Sequence, residues 1–116
     1  VGYVNAHGTA TRVGDRVECE ALAAVWGAAL PSLRVSSTKA LHGHLLGAAG
    51  ALEAVITVMA LHQLRVPPNA HCTQPDSACA LPLVLGTGLE MPVLNAAISS
   101  SFAFGGTNSV LLFSHD

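Results

Sequence analysis

Three observations predict an α/β layered fold. Short apolar runs alternate with helical segments in the order β-α-β-α-loop-β-β, the pattern of helices packed on a sheet. Residues 44–64 are apolar nearly all round, which predicts a central helix buried within the fold. Each apolar strand then runs into a turn that carries special residues: His7, Lys39 and the stretch 102–108. Open α/β sheets carry ligands outside the carboxyl ends of their strands.

The elements follow in chain order. Val1 to Ala6 reads as a short buried strand centred on Tyr3 and Val4, ending in His7-Gly8-Thr9-Ala10-Thr11. Gly14-Asp15 opens an amphipathic helix with Val17, Ala21, Leu22, Ala24, Val25 and Ala28 toward the core. Asp15 reads as its N-cap, and Glu18, three residues on, completes a capping box. Pro31 separates this helix from the strand 33–36, and the loop Ser37 to Gly43 follows. The apolar helix starts at His44 with a thin first half, Gly47-Ala48-Ala49-Gly50-Ala51, that lets another backbone approach. Leu45 to Leu61 contains Glu53 and falls short of the roughly twenty apolar residues of a membrane span, so a core helix is expected. Pro67-Pro68 stops it. Residues 69–92, with three further prolines, read as irregular surface chain. Leu94 to Ser101 is a strand, Phe102 to Gly106 a turn, and Thr107 to Phe113 the final strand.

Only 10% of the 116 residues are charged and 51% are hydrophobic, against about 25% charged in an ordinary soluble domain. So few charges predict a face meant for another protein surface. A net charge of −2 points away from nucleic acid and anionic membrane. The chain begins at Val1 without a signal or transit pattern and reads as a single domain, 1–116, cut from a longer polypeptide. Cys19, Cys72 and Cys79 are an odd set without a CxxC pair, as expected of reduced cytoplasmic thiols. No zinc pattern matches His42/His44 or His71/Cys72/Cys79, and no metal ligand is assigned.

Two histidines on separate strand exits suit a site for an oxyanion or enolate, with neutral imidazoles donating N–H bonds to developing negative charge. His44, placed at a helix start, would be kept neutral by the dipole. Lys39, the only lysine, would hold a histidine or a carboxylate by charge-assisted hydrogen bonding.

These residues carry a resemblance. Asn5-Ala6-His7-Gly8-Thr9-Ala10-Thr11 with Gly14-Asp15, then Ser37-Thr38-Lys39 with Gly43-His44-Leu45-Leu46-Gly47-Ala48-Ala49-Gly50, then Ser101-Phe102-Ala103-Phe104-Gly105-Gly106-Thr107-Asn108 occur in one order along the chain. Together they resemble the C-terminal half of a β-ketoacyl-acyl-carrier-protein synthase, a condensing enzyme of the thiolase fold. The resemblance covers essentially the whole chain. It implies a decarboxylative Claisen condensation of malonyl-carrier protein with an acyl thioester, in fatty-acid or polyketide-type synthesis. His7 and His44 match the family's histidines, Lys39 the lysine that organises them, and Glu53 the acidic residue of the next helix, supporting them from behind. Thr9 and Thr11 match the threonines that bind the phosphopantetheine arm, and Phe104 with Phe102 the gate of the acyl pocket. No cofactor is implied beyond that arm of acyl carrier protein. The implied partners are acyl carrier protein, the N-terminal half of the same fold, and a second subunit in a homodimer or ketosynthase-type heterodimer, in the cytoplasm.

Three departures from the family pattern stand out. None of the cysteines lies in the family's nucleophile motif, so this chain carries no nucleophile. His42 replaces a threonine. Ala103 replaces a glycine and would stiffen the gate if its φ were positive. The alternative is a non-catalytic ketosynthase-like partner that shapes the pocket of an active synthase.

Overall fold

The structure is a computed structural model that describes residues 1–115. A four-stranded mixed sheet has the order β2-β1-β5-β6. Strand β1 (Tyr3–Asn5) pairs in parallel with β2 (Arg34–Ser36) and with β5 (Ala96–Ala103), and β5 pairs antiparallel with β6 (Thr107–Ser114). The predicted element order therefore holds. It gains one addition: β3 (Arg65–Val66) and β4 (Leu89–Glu90) form a two-residue antiparallel clip inside and beside the segment read as irregular.

The period-2 alternation of β1 divides the core. Tyr3 packs on one face with Ala60, Leu61, Val66, Val84, Leu94 and Ala97, beneath helix α3 (Ala49–Gln63). Val4 packs on the other with Ala6, Leu22, Leu33 and Val35, beneath helix α1 (Arg12–Trp26). Each large apolar side chain so buried contributes about 1.5–3 kcal/mol.

Helix α1 differs from expectation. It begins at Arg12 with Thr11 as N-cap, so Asp15 lies inside its first turn. The buried residues are Glu18 and Leu22, while Val17 and Val25 are exposed. The seven-residue spacing of Asp15 and Leu22 lies on the same side as Glu18 and Trp26, which places the carboxylates, and not the valines, toward the sheet. The apolar count along the helix hid this, because the buried side takes in Glu18, whose carboxylate has backbone partners on the turn after β1.

The helix expected from His44 starts later. A short 3-10 turn, Leu46–Ala48, precedes α3, and His44 lies outside both. Leu46 to Gln63 is long and apolar enough to cross a membrane by length and composition. Here it lays Ala49, Glu53, Thr57, Ala60 and Leu61 on the sheet. It is not buried all round: Val55, Val58 and Met59 are exposed, as are Val110, Leu111 and Leu112 on β6. The low charge of the sequence thus has a structural counterpart in open apolar faces.

Candidate active site

Strands β1, β2 and β5 run in parallel, so their carboxyl ends share one edge of the sheet. Asn5 is in register with Ser36 and Ser99, and β5 continues to Ala103. Phe102 is thereby carried past the end of β1, and its ring meets that of His7 edge-on, with centroids 5.7 Å apart. The ring of His44 meets His7 at 5.8 Å and 89°. Two imidazoles and an aromatic ring thus converge at the edge where an open sheet binds ligands.

Each imidazole is oriented from its own side. The His44 Nδ1 accepts the Leu46 N–H at 3.1 Å, which leaves the ring proton on Nε2. The His7 Nδ1 is buried without a partner among the described residues. Burial lowers the His7 pKa below the ordinary histidine value, and the Lys39 and His44 charges lower it further. The Glu53 and Asp15 charges oppose that shift. The net shift favours the neutral ring.

The His7 backbone is fixed by a residue that the sequence reading took for a helix cap. The Glu18 carboxylate accepts the His7 N–H and the Gly8 N–H, one on each oxygen, both at 2.9 Å. It makes no capping box, and α1 has no side-chain cap at all. Capping boxes and this clamp share one sequence signature, an acid one turn into a helix, so only the position of the preceding loop separates them. Gly8 has φ +36°, and a Cβ there would lie 2.6 Å from the Ser37 Cβ. Glycine is needed for both reasons.

Burial raises the Glu18 pKa, outweighing the Gly8 and His7 N–H groups that pull it down. A carboxyl with a raised folded pKa stabilises most while protonated, and that contribution is lost as pH rises through the folded value. Urea unfolding followed from about pH 4 to about pH 7 is therefore expected to show wild-type stability falling relative to Glu18→Gln. A wild-type curve that rises relative to the variant would reverse the assignment.

Lys39 sits in the short helix α2 (Lys39–His42) and forms a buried ion pair with Glu53 Oε1. Glu53 Oε2 has no partner among the described residues. Asn5 ties this pair to the sheet. Its Nδ2 donates to the Glu53 carbonyl and to Thr57 Oγ1, both at 3.3 Å, and its Oδ1 accepts the Thr38 N–H at 3.3 Å and the Thr38 hydroxyl at 3.2 Å. His42 lies on the same loop, its Nε2 3.1 Å from Thr38 Oγ1 and its Nδ1 2.7 Å from the Gly43 carbonyl. Asn69 joins the far side, accepting the Ser37 N–H at 2.9 Å and donating to the Val35 and Val84 carbonyls at 3.1 and 3.2 Å. Neither asparagine is singled out by a motif that predicts these bonds; a polar residue closing an apolar strand is the one visible signal for Asn5.

The remaining expected residues sit at the rim. Thr9 is half-buried and Thr11 exposed, with Thr11 Oγ1 so close to Gly14 that a Cβ there would lie 2.4 Å from it. Phe104 is fully exposed at 105%, which excludes core packing for that ring in this chain. Ala103 has φ −119°, ordinary extended backbone, so the condition under which it would stiffen the turn does not hold. Gly105 and Gly106 both have φ +80° and supply the left-handed geometry of the turn.

Comparison with known proteins identifies the family. Residues 1–73 match the family described as the beta-ketoacyl synthase, C-terminal domain. The chain is 48% identical over 113 residues to the chloroplastic 3-oxoacyl-[acyl-carrier-protein] synthase II of Arabidopsis thaliana, covering 97% of this chain and 21% of that protein. It is 45% identical over 113 residues to nodulation protein E of Rhizobium sp. (strain N33), covering 97% of this chain and 28% of the relative. Among solved structures, a beta-ketoacyl synthase from Burkholderia phymatum STM815 superposes with a TM-score of 0.91 at 38% identity, over 100% of this chain and 28% of that one. A type II PKS ketosynthase, solved with its acyl-carrier protein and bound to a hexaketide, superposes with a TM-score of 0.92 at 31% identity, over 98% of this chain and 28% of that one. The fold is that of the thiolase-like ketosynthases, and the chain belongs to the β-ketoacyl synthase C-terminal domain family. It spans 21–28% of the length of these relatives.

Proposed function

We propose that residues 1–116 are the C-terminal part of a β-ketoacyl-acyl-carrier-protein synthase that condenses malonyl-carrier protein with an acyl thioester. The observation that supports this most is the convergence of the His7 and His44 rings at the strand exits, with a buried Lys39–Glu53 pair on the adjoining elements. In this reading the malonyl thioester loses carbon dioxide and its carbonyl oxygen takes up the enolate charge. The His44 Nε2–H and a ring N–H of His7 donate to that oxygen. Lys39 and Glu53 are positioning residues for this pair. Thr9 and Thr11, at the rim, bind the phosphopantetheine arm, and Phe102 and Phe104 line the acyl entrance.

The nucleophile lies outside this chain, in the N-terminal part of the fold. The exposed apolar faces of α3 and β6 support docking of that part here. Acyl carrier protein is the substrate carrier, a second ketosynthase-type subunit completes a dimer, and the protein works in the cytoplasm without a metal or a further cofactor. The partner-subunit alternative predicts the same fold but no turnover. An assay of carbon dioxide release from malonyl-carrier protein distinguishes them. The intact protein is expected to release it and the 116-residue chain alone is not. Release by the chain alone, or none by the intact protein, would overturn the reading.

Phe104→Ala tests the rim. An exposed ring has no packing to lose, so urea unfolding of this chain is expected to change by less than about 0.5 kcal/mol. In the intact protein the same substitution is expected to broaden the range of acyl chains loaded. Unchanged acyl preference would remove Phe104 from the entrance.

A further inference from the structure

A second cavity, of about 300 Å³, lies between α1, the turn after β1 and the loop 69–83. All three cysteines line it, together with Asp15, Glu18 and Asp76. Each thiol is half-buried and free. Cys19 follows Glu18 on α1, and Cys79, two residues before Leu81 on the loop, lines the same cavity from the other side. Nothing in the condensation chemistry uses these sulfurs.

We infer that Cys19 and Cys79 are a thiol–disulfide modification site, at which a hydroperoxide joins the two sulfurs and staples the 69–83 loop to α1 behind the His7–Gly8 turn. The loop is held by turn bonds alone near the sulfurs: the Cys72 N–H donates to the Asn69 carbonyl at 3.3 Å, the Cys79 N–H to the Asp76 carbonyl at 2.9 Å, and the Leu81 N–H to the Cys79 carbonyl at 2.8 Å. Leu81 and Leu83 anchor its far end against the cluster that contains Leu22, one turn along α1 from Cys19. Packing thus holds Cys79 on the same side of α1 as Cys19, and forming the bond draws the two sulfurs to the roughly 2 Å of a disulfide.

Burial raises the Cys19 pKa. Either sulfur can lead the reaction. With Cys79 first, its thiol gives up a proton and the sulfur attacks the peroxide O–O bond, expelling hydroxide and leaving a sulfenic acid. The hydroxide takes the Cys19 proton as water. The Cys19 thiolate then attacks the Cys79 sulfur, and the sulfenic oxygen departs as hydroxide, which takes up the proton that Cys79 gave up and forms a second water. Two thiols and one hydrogen peroxide become one disulfide and two waters, and a dithiol reductant reverses the change.

The test is hydrogen peroxide treatment of the intact protein, alkylation of the remaining thiols and non-reducing peptide mapping by mass spectrometry. The expected product is a peptide pair joining Cys19 to Cys79, short of two hydrogens and cleaved by dithiothreitol. The same link is expected in Cys72→Ser, a substitution of a half-buried loop residue. Recovery of Cys19 and Cys79 as alkylated thiols would overturn the inference. So would linkage of either to Cys72 or to a second molecule, or oxidation that stops at sulfinic or sulfonic acid. The mapping reads chemistry at the thiols and stands or falls apart from the condensing activity.

Discussion

His44→Ala in the intact protein is expected to slow carbon dioxide release from malonyl-carrier protein by about a hundred- to a thousandfold. Acyl transfer to the nucleophile is expected to survive with little change. The split follows from where the His44 ring is held. Its Nδ1 is occupied by the Leu46 N–H, so its one free donor is Nε2–H, on a ring that meets His7 in a T-shaped contact. That donor is worth most when charge appears on the malonyl carbonyl oxygen. In the proposed function the acyl step makes its oxyanion elsewhere, against donors beside a nucleophile outside this chain. Labelled acyl loading and carbon dioxide release, measured separately on the same preparation, decide the point. An equal loss of both rates would make His44 a structural residue.

The helix start that the sequence assigned to His44 does not survive the structure, although the His44 ring still meets that of His7. Sequence placed His44 at a helix start because the apolar pattern runs unbroken from residue 44. The chain instead makes a turn first, with Leu46 at φ +52°, before α3 begins at Ala49. Apolar periodicity cannot register a single left-handed residue. What holds the ring is a local backbone N–H, a contact with no signature in residue spacing.

The same limit explains α1. Its exposed valines and its buried Glu18 invert the simple amphipathic expectation, because Glu18 is buried by its two backbone partners on the neighbouring loop. Element order, strand exits and the three motifs were legible because apolar runs and turn glycines are local features. The Asn5, Glu18 and Asn69 bonds were not, because each joins segments distant in sequence.

Lys39 and Glu53 pose the question of fold against function most sharply. Both side chains are almost fully buried, at 5% and 1% exposure, and they pair with each other. Removing one partner leaves the other charged and unpaired in a site that excludes water. Lys39→Met and Glu53→Leu are each expected to destabilise by about 3–5 kcal/mol, read from urea unfolding. The double variant removes both charges and restores apolar volume, so it is expected to recover most of that loss. It is not expected to recover carbon dioxide release, since the field around His7 goes with the pair. The Lys39 charge lowers the His7 pKa, so in Lys39→Met the His7 ring is expected to titrate at higher pH, followed by NMR of the imidazole protons. A double variant as unstable as the singles would mean that side-chain shape, and not charge pairing, holds this junction. A double variant that is stable and fully active would reduce the pair to scaffolding and leave the two imidazoles to act without it.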